Sequence, residues 1–167
     1  GNLVRMAAAL GESEMVDSLC AQVLEKDPSN MEALVRRGEI ADQAGRYEDA
    51  VKYYNAALEK KPDQCNIWFN LGVIYFQKMQ KLDDAEQAFS RAAELCPDDP
   101  NTMINLNVVL ITNNKLDDAI THLNTFTIAN PKDCVGWDLL SQALLRKGLK
   151  EQALAANKKF EECKQGQ

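Results

Sequence analysis

The 167-residue sequence lacks the short motifs that mark the common catalytic and metal-binding sites. It contains no GxGxxG and no Walker loop that would hold a phosphate, and no HExxH that would hold a catalytic zinc. Its single histidine, His122, lies in a predicted helix, and no serine or cysteine has a recognisable nucleophile setting. We therefore predict a protein that is not an enzyme and has no catalytic residues, no cofactor and no metal. His122 is expected at the surface.

Long apolar runs and clustered positive charge are also lacking. No stretch approaches the length of a membrane span. The net charge is −6, and the lysines and arginines are scattered, whereas a nucleic-acid surface concentrates positive charge on one face. We therefore expect no nucleic acid and no direct membrane insertion, and we expect a protein or peptide as the partner.

The cysteines form no recognisable set. There are five, none belongs to a CxxC, and the odd number does not suggest a disulfide framework. We interpret them as small, buried or half-buried hydrophobic residues in a reducing compartment, which favours the cytoplasm. The chain opens at Gly1 without a methionine. A removed signal or an upstream domain, and with it a periplasmic or secreted location, therefore stays open.

Proline is sparse but periodic. Pro28, Pro62, Pro97 and Pro131 are separated by 34, 35 and 34 residues, and a fixed period of this size is typical of stacked repeats. Between the prolines, apolar residues recur at i, i+3, i+4 and i+7, which predicts two amphipathic helices in each unit. The chain is therefore predicted to be a helical repeat array.

Turn and cap residues divide each unit. Residues that tolerate left-handed backbone mark the turn between the two helices, namely Gly45, Asn114 and Gly148. Short polar side chains stand where N-caps are expected, at Asn30, Asp63, Asp99 and Asp133. The third unit needs one extra residue, which we place in its turn at 79–81. The acidic pairs at 83–84, 98–99 and 117–118 are interpreted as favourable charges at helix starts rather than as cation ligands.

The unit from Cys65 to Pro97 carries the most complete pattern. Its characteristic residues are Trp68, Leu71, Gly72, Tyr75, Ala85, Phe89, Ala92 and Pro97. This pattern resembles the tetratricopeptide repeat (TPR) family. The resemblance covers nearly the whole chain and implies an all-α fold: a right-handed superhelical solenoid of stacked antiparallel helix pairs, about ten helices in all.

The resemblance divides residues 1–167 into a single array. It has a degenerate first repeat at 1–30, three repeats at 31–64, 65–99 and 100–133, and a terminal repeat at 134–167. The last two units exchange large and small side chains, with Phe126 and Phe160 where alanine is usual and Leu123 and Asn157 where an aromatic residue is usual. Such an exchange conserves volume.

In this family the first helices line a concave groove that receives peptides. The residues that match the groove positions form an apolar centre, Phe69, Val73, Phe76, Ile104, Val108 and Ile111, with the amides Asn70, Asn101 and Asn105 beside it and the acidic flanks Glu39, Asp42 and Asp138. Ordinary packing between helices is an alternative explanation of the apolar stripe. The carboxylate clamp of chaperone-binding members is matched by Asn70 alone, which disfavours an acidic tail as ligand.

The leading hypothesis is a non-enzymatic interaction module. It would bind an extended or helical peptide with an apolar centre and some basic character in the concave groove. Two alternatives stay open: a structural scaffold that self-associates into a homo-oligomer, and the targeting domain of a longer protein.

Overall fold

The computed structural model describes the backbone of residues 2–166 and the side chains of residues 11–166. Within that range it contains nine α-helices and no strand, which confirms an all-α helical solenoid. The helices are α1 (Asn2–Lys26), α2 (Met31–Gln43), α3 (Tyr47–Lys60), α4 (Cys65–Val73), α5 (Leu82–Leu95), α6 (Pro100–Thr112), α7 (Leu116–Ala129), α8 (Cys134–Arg146) and α9 (Lys150–Gln165). A π-helical turn, Ile74–Lys78, follows α4 directly. In the same range no helix is long and apolar enough to cross a membrane.

Helices α2 to α9 form four antiparallel pairs, and a residue of positive φ separates the two helices of each pair. These residues are Gly45 (φ 74°), Asn114 (φ 60°), Gly148 (φ 85°) and, in the third unit, Gln80 (φ 55°). The first three are the predicted turn residues. Glycine adopts this backbone without steric cost, and asparagine tolerates it better than most residues.

The extra residue of the third unit lies in a helix, not in the turn. In the fourth and fifth units the N–H that closes the turn reaches back five residues, from Lys115 to Leu110 and from Leu149 to Leu144. In the third unit Lys81 reaches back six residues, to Tyr75. The added residue is absorbed by widening the end of the first helix into a π turn. The prediction that placed it at 79–81 is wrong.

Three of the four predicted N-caps are confirmed. The side chains of Asn30, Asp99 and Asp133 each accept a hydrogen bond from a backbone N–H in the first turn of the following helix. Asp63 does not cap α4, because the helix begins two residues later and the cap position belongs to Gln64. A capping side chain must stand directly before the first helical residue.

Two of the four periodic prolines, each in the loop between two units, accept a hydrogen bond from the next first helix. The indole N–H of Trp68 donates to the carbonyl of Pro62 at 2.8 Å, and that of Trp137 donates to the carbonyl of Pro131 at 3.1 Å. The two tryptophans stand at the same place in their units. At these two prolines the carbonyl therefore helps to hold the following helix in place.

In the second and third units, a glycine in the first helix sets the distance between the two helices of the pair. A Cβ on Gly72 would lie 2.7 Å from the ring of Phe89, and one on Gly38 would lie 2.7 Å from the ring of Tyr54. The fourth unit has Asn107 and Leu123 at the matching positions, both fully buried. Its Phe126 packs against Gly136 of the fifth unit instead. The large ring of the fourth unit thus lies in the contact between two units instead of within the helix pair, and the core stays filled.

We predict that Gly72→Ala destabilises the protein by about 1–3 kcal/mol, because the added methyl group cannot fit beside the buried Phe89 ring. Adding Phe89→Leu should recover part of the loss in a double-mutant cycle. The fourth unit shows the same combination, because it has Asn107 in place of the glycine and Leu123 in place of the aromatic residue. Urea unfolding followed by circular dichroism measures both effects. The exposed change Gln87→Ala in α5 is the control, and additive effects of the two core changes would contradict the interpretation.

The prediction of unpaired cysteines is wrong for four of the five. Cys65 is bonded to Cys96 and Cys134 to Cys163, with Cα–Cα distances of 6.1 and 5.6 Å, and Cys20 is free. Each disulfide joins the first residue of a first helix to the end of the second helix in the same unit. An antiparallel pair returns the chain to its starting point, so cysteines about thirty residues apart become neighbours. The disulfides remove the basis for inferring a reducing compartment.

We expect Cys65→Ser combined with Cys96→Ser to lower the free energy of unfolding by about 2–4 kcal/mol, because the bond restricts the unfolded chain. Wild type with added reductant should lose at least as much. Chemical denaturation with and without reductant measures both. Cys20→Ser, which removes the free thiol, should change stability little. Equal stability in oxidised and reduced wild type would refute the prediction.

The segment before Pro28 is one helix rather than a helix pair. Helix α1 runs without interruption from Asn2 to Lys26, and the array therefore has nine helices in the described range instead of about ten. Its second half lies against α2, where the Arg37 guanidinium contacts the Asp17 carboxylate at 2.8 Å.

Candidate functional site

The apolar residues predicted for the groove come from two neighbouring first helices. Phe69 and Val73 lie in α4, Phe76 lies in the π turn, and Ile104 and Val108 lie in α6. All five are half-buried and pack against one core cluster. Phe69, for example, meets Phe89 edge to face, with the ring centroids 5.6 Å apart. The stripe thus contributes to the core and keeps part of its surface open to solvent.

Ile111 is not an exposed member of this surface. It is only 6% exposed and belongs to the core, because the end of α6 is covered by α8. The Arg146 guanidinium of α8 donates to the Ile111 carbonyl. On α8 itself, Leu145 next to Arg146 is 60% exposed, and Val135 at the opposite end of the helix is 49% exposed. The site predicted from the sequence did not include these two, although both occupy groove positions of the last unit.

Three predicted polar residues affect the pKa of one buried tyrosine. Tyr54 is 1% exposed, and its burial, followed by the charge of Glu39, raises its pKa to about 12. Asp42 acts in the same direction, while a hydrogen bond with the Asn70 side chain opposes the shift. Glu39, Asp42 and Asn70, which belong to two successive units, therefore all act on the Tyr54 side chain. We call this group the acidic corner.

Tyr54 should make stability fall at high pH. The folded protein keeps the phenol protonated up to a pKa of about 12, whereas the unfolded chain releases the proton near 10. The resulting contribution is complete below about pH 10 and is lost, by roughly 2–3 kcal/mol, as the pH rises to about 12.

Absorbance at 295 nm during a pH titration tests this prediction. One tyrosine step should lie near 12 and should be missing in Tyr54→Phe. Tyr75→Phe is the matched control, because burial also raises the pKa of Tyr75 and yet its removal must leave the step near 12. A Tyr54→Phe titration identical to that of wild type would contradict the assignment.

The remaining predicted polar residues bond within their own helices. The Asn105 amide donates to the Asn101 carbonyl at 2.8 Å, and the Gln142 amide donates to the Asp138 carboxylate at 2.9 Å. Glu39 also pairs with Arg36 at 2.9 Å. In the described part of the chain, no ion pair is seen for Asp42, which leaves its carboxylate available to a bound cation.

A cleft that the sequence reasoning missed lies between α1 and α2. Its volume is about 570 Å³, and we call it the α1–α2 cleft. It is lined by Val16, Leu19, Cys20, Val23, Asn30, Glu32, Ala33, Val35, Arg36 and Glu39. Met15, Leu19 and Val23, four residues apart on one side of α1, are exposed. The four-residue spacing of these apolar residues was the signal in the sequence that could have indicated the cleft.

The prediction for His122 is wrong, whereas the prediction for two of the acidic pairs agrees with the structure. His122 is half-buried rather than on the surface, and its Nδ1 is buried without a hydrogen-bond partner. Asp83 and Asp84 lie in the first turn of α5, and Asp117 and Asp118 in that of α7, where they face the positive helix end as predicted. Over residues 2–166, no group of three potential metal ligands is gathered.

Repeated helix pairs that present their first helices along one surface define an α-helical repeat protein. Residues 43–78 match a family model described as TPR repeat, and residues 66–99 match one described as tetratricopeptide repeat. Residues 43–99 therefore carry tetratricopeptide repeats. Members of this family are generally non-enzymatic scaffolds that bind protein or peptide partners.

Solved structures share this fold. A crystal structure of MamA is 21% identical and superposes with a TM-score of 0.82, covering 95% of this chain and 92% of that one. YrrB, described as a TPR protein with an unusual peptide-binding site, is 20% identical with a TM-score of 0.81, covering 97% and 83%. A structure described as MamA RS-1 ArsTM double mutant is 16% identical with a TM-score of 0.79, covering 99% and 92%. At these identities the likeness shows the fold alone.

Proposed function

We propose that this protein captures a peptide or helical segment of a partner in its concave groove, with an apolar side chain on the stripe and a basic side chain in the acidic corner. The observation that carries the proposal is the position of Asp42. This carboxylate has no ion-pair partner among the described residues, lies one helical turn from Glu39 on α2, and acts with Glu39 on the pKa of Tyr54. Phe76 and Val73 of the next unit supply half-buried apolar surface.

Charge supports a basic ligand. The chain carries a net charge of −6, and the acidic corner concentrates two carboxylates against one guanidinium, that of Arg36, which already pairs with Glu39. A lysine or arginine of the ligand would neutralise the remaining charge. Charged pairs of this kind add specificity and association rate as well as affinity. YrrB, described as having a peptide-binding site, shows that an array of this shape can hold a peptide.

We expect a displayed random-peptide library to be enriched by the wild-type protein for sequences that combine a basic residue with an apolar one. Asp42→Lys should weaken binding of a selected peptide by about tenfold or more, because it replaces an attraction with a repulsion. Phe76→Asp should abolish binding by placing a charge in the stripe. Fluorescence anisotropy of the labelled peptide measures both changes. Phe69 is unsuitable for such a test because it packs on the core residue Phe89.

Glu59→Lys gives a matched charge reversal on an exposed residue of the second helix α3 and should leave binding unchanged. Circular dichroism confirms that each variant folds. Selected peptides without basic residues, or equal losses in Asp42→Lys and Glu59→Lys, would overturn the assignment of the acidic corner.

A further inference from the structure

Gly11 stands at the turn position of the repeat. The residues of positive φ between paired helices are Gly45, Gln80, Asn114 and Gly148, and each lies 34 or 35 residues from the next. The same step taken backwards from Gly45 ends at Gly11. Within the continuous helix α1, a Cβ on Gly11 would meet nothing within 4 Å, so close packing does not require glycine there. A glycine inside a helix is unfavourable relative to alanine. A role as the turn between two helices would explain why glycine stands at position 11.

The second half of α1 occupies the place of a second helix. It precedes Pro28 as α3 precedes Pro62, and it docks on α2 through Asp17 and Arg37. Its inward residues, however, are left uncovered. Val16, Cys20 and Val23 match positions that in the next unit are held by Ala50, Tyr54 and Ala57, all at most 1% exposed. Val23 is 41% exposed, and Val16 and Cys20 are half-buried. A first helix is missing from this unit, and the α1–α2 cleft is the space left by it.

The sequence of residues 2–10 fits that space. In register, Leu3, Val4 and Met6 match residues 71, 72 and 74 of the third unit, which are all buried. Arg5, the one charged residue among 2–10, matches a groove position, and the cleft is lined by Glu32 and by the ion pair of Arg36 with Glu39. The apolar pattern and the net negative charge of this lining therefore both agree with a first helix.

We propose that the chain has a second conformation in which it turns at Gly11 and residues 2–10 fold back into the α1–α2 cleft as the first helix of a complete repeat. The continuous α1 and this folded form are alternatives. The folded form covers Val16, Leu19 and Val23 and closes the end of the concave face beside Glu39. The occupant of the cleft is thus a segment of the same chain.

A cysteine at position 4 tests the proposal. In the second and third units the matching residues, Gly38 with Tyr54 and Gly72 with Phe89, are in direct contact, so the folded form brings residue 4 onto Cys20. In the continuous helix the two lie about 24 Å apart, whereas a disulfide needs Cα atoms about 4.4–6.8 Å apart. Val4→Cys in the otherwise intact chain should form an intramolecular disulfide with Cys20 under mild oxidation, at least about tenfold faster than Arg5→Cys.

Mass mapping of the crosslinked peptides on the monomer fraction identifies the partner cysteine. Adding Gly11→Ala to Val4→Cys should slow the crosslink at least about fivefold, because alanine favours the helix and resists positive φ. Equal rates for Val4→Cys and Arg5→Cys, or no effect of Gly11→Ala, would overturn the proposal. A crosslink to Cys20 of a second copy would overturn it in favour of exchange between chains. A crosslink to another cysteine would also overturn it, because residue 4 would then not lie on Cys20.

Discussion

The tight contact between the two helices of a pair is the constraint on which the structure depends. Gly72 and Gly38 let a first helix approach until the ring of a second-helix aromatic residue touches its backbone. A close pair presents two flat, apolar sides on which the next pair can stack, and interiors of this density tolerate little change in volume. The fourth unit respects the same limit with Asn107 and Leu123. It therefore keeps the stacking while changing the residues that produce it.

The candidate site follows from this stacking. First helices that are held at a regular spacing bring residues of successive units together, as Glu39 and Asn70 are brought to the Tyr54 hydroxyl. The stripe residues serve two purposes, since one side of Phe69 or Ile104 packs on the core while the other side is open. Of the two explanations of the stripe that the sequence left open, intramolecular packing accounts for the buried side of these residues, and the groove stays a proposal for the open side. The π turn adds a local feature, because it sets the direction of Phe76 at the edge of the second helix pair.

Much of the fold was predictable because repetition makes local signals reinforce one another. The proline period, the turn residues and three of the caps each recur, and a pattern seen in several units is not an accident of one. Predictions failed where a single unit departs from the rest. Asp63 stands one residue too early to cap α4, and the extra residue of the third unit was absorbed by a helix because hydrogen bonding could continue in a wider turn. The degenerate first unit was predicted as a helix pair, and the structure has one continuous helix there.

The sequence by itself determined the kind of repeat, the helices from Met31 onward and the absence of a recognisable catalytic motif, because these depend on residues that are near one another in the chain. Only the tertiary structure decided which residues meet across units. Cys65 and Cys96 are neighbours because an antiparallel pair returns the chain to its start. Ile111 is buried because α8 covers the end of α6, and Asn70 of α4 reaches Tyr54 of α3 because the two units stack. Periodicity specifies which face of a helix is apolar, but the packing of that face against another helix depends on contacts between residues that are distant in sequence.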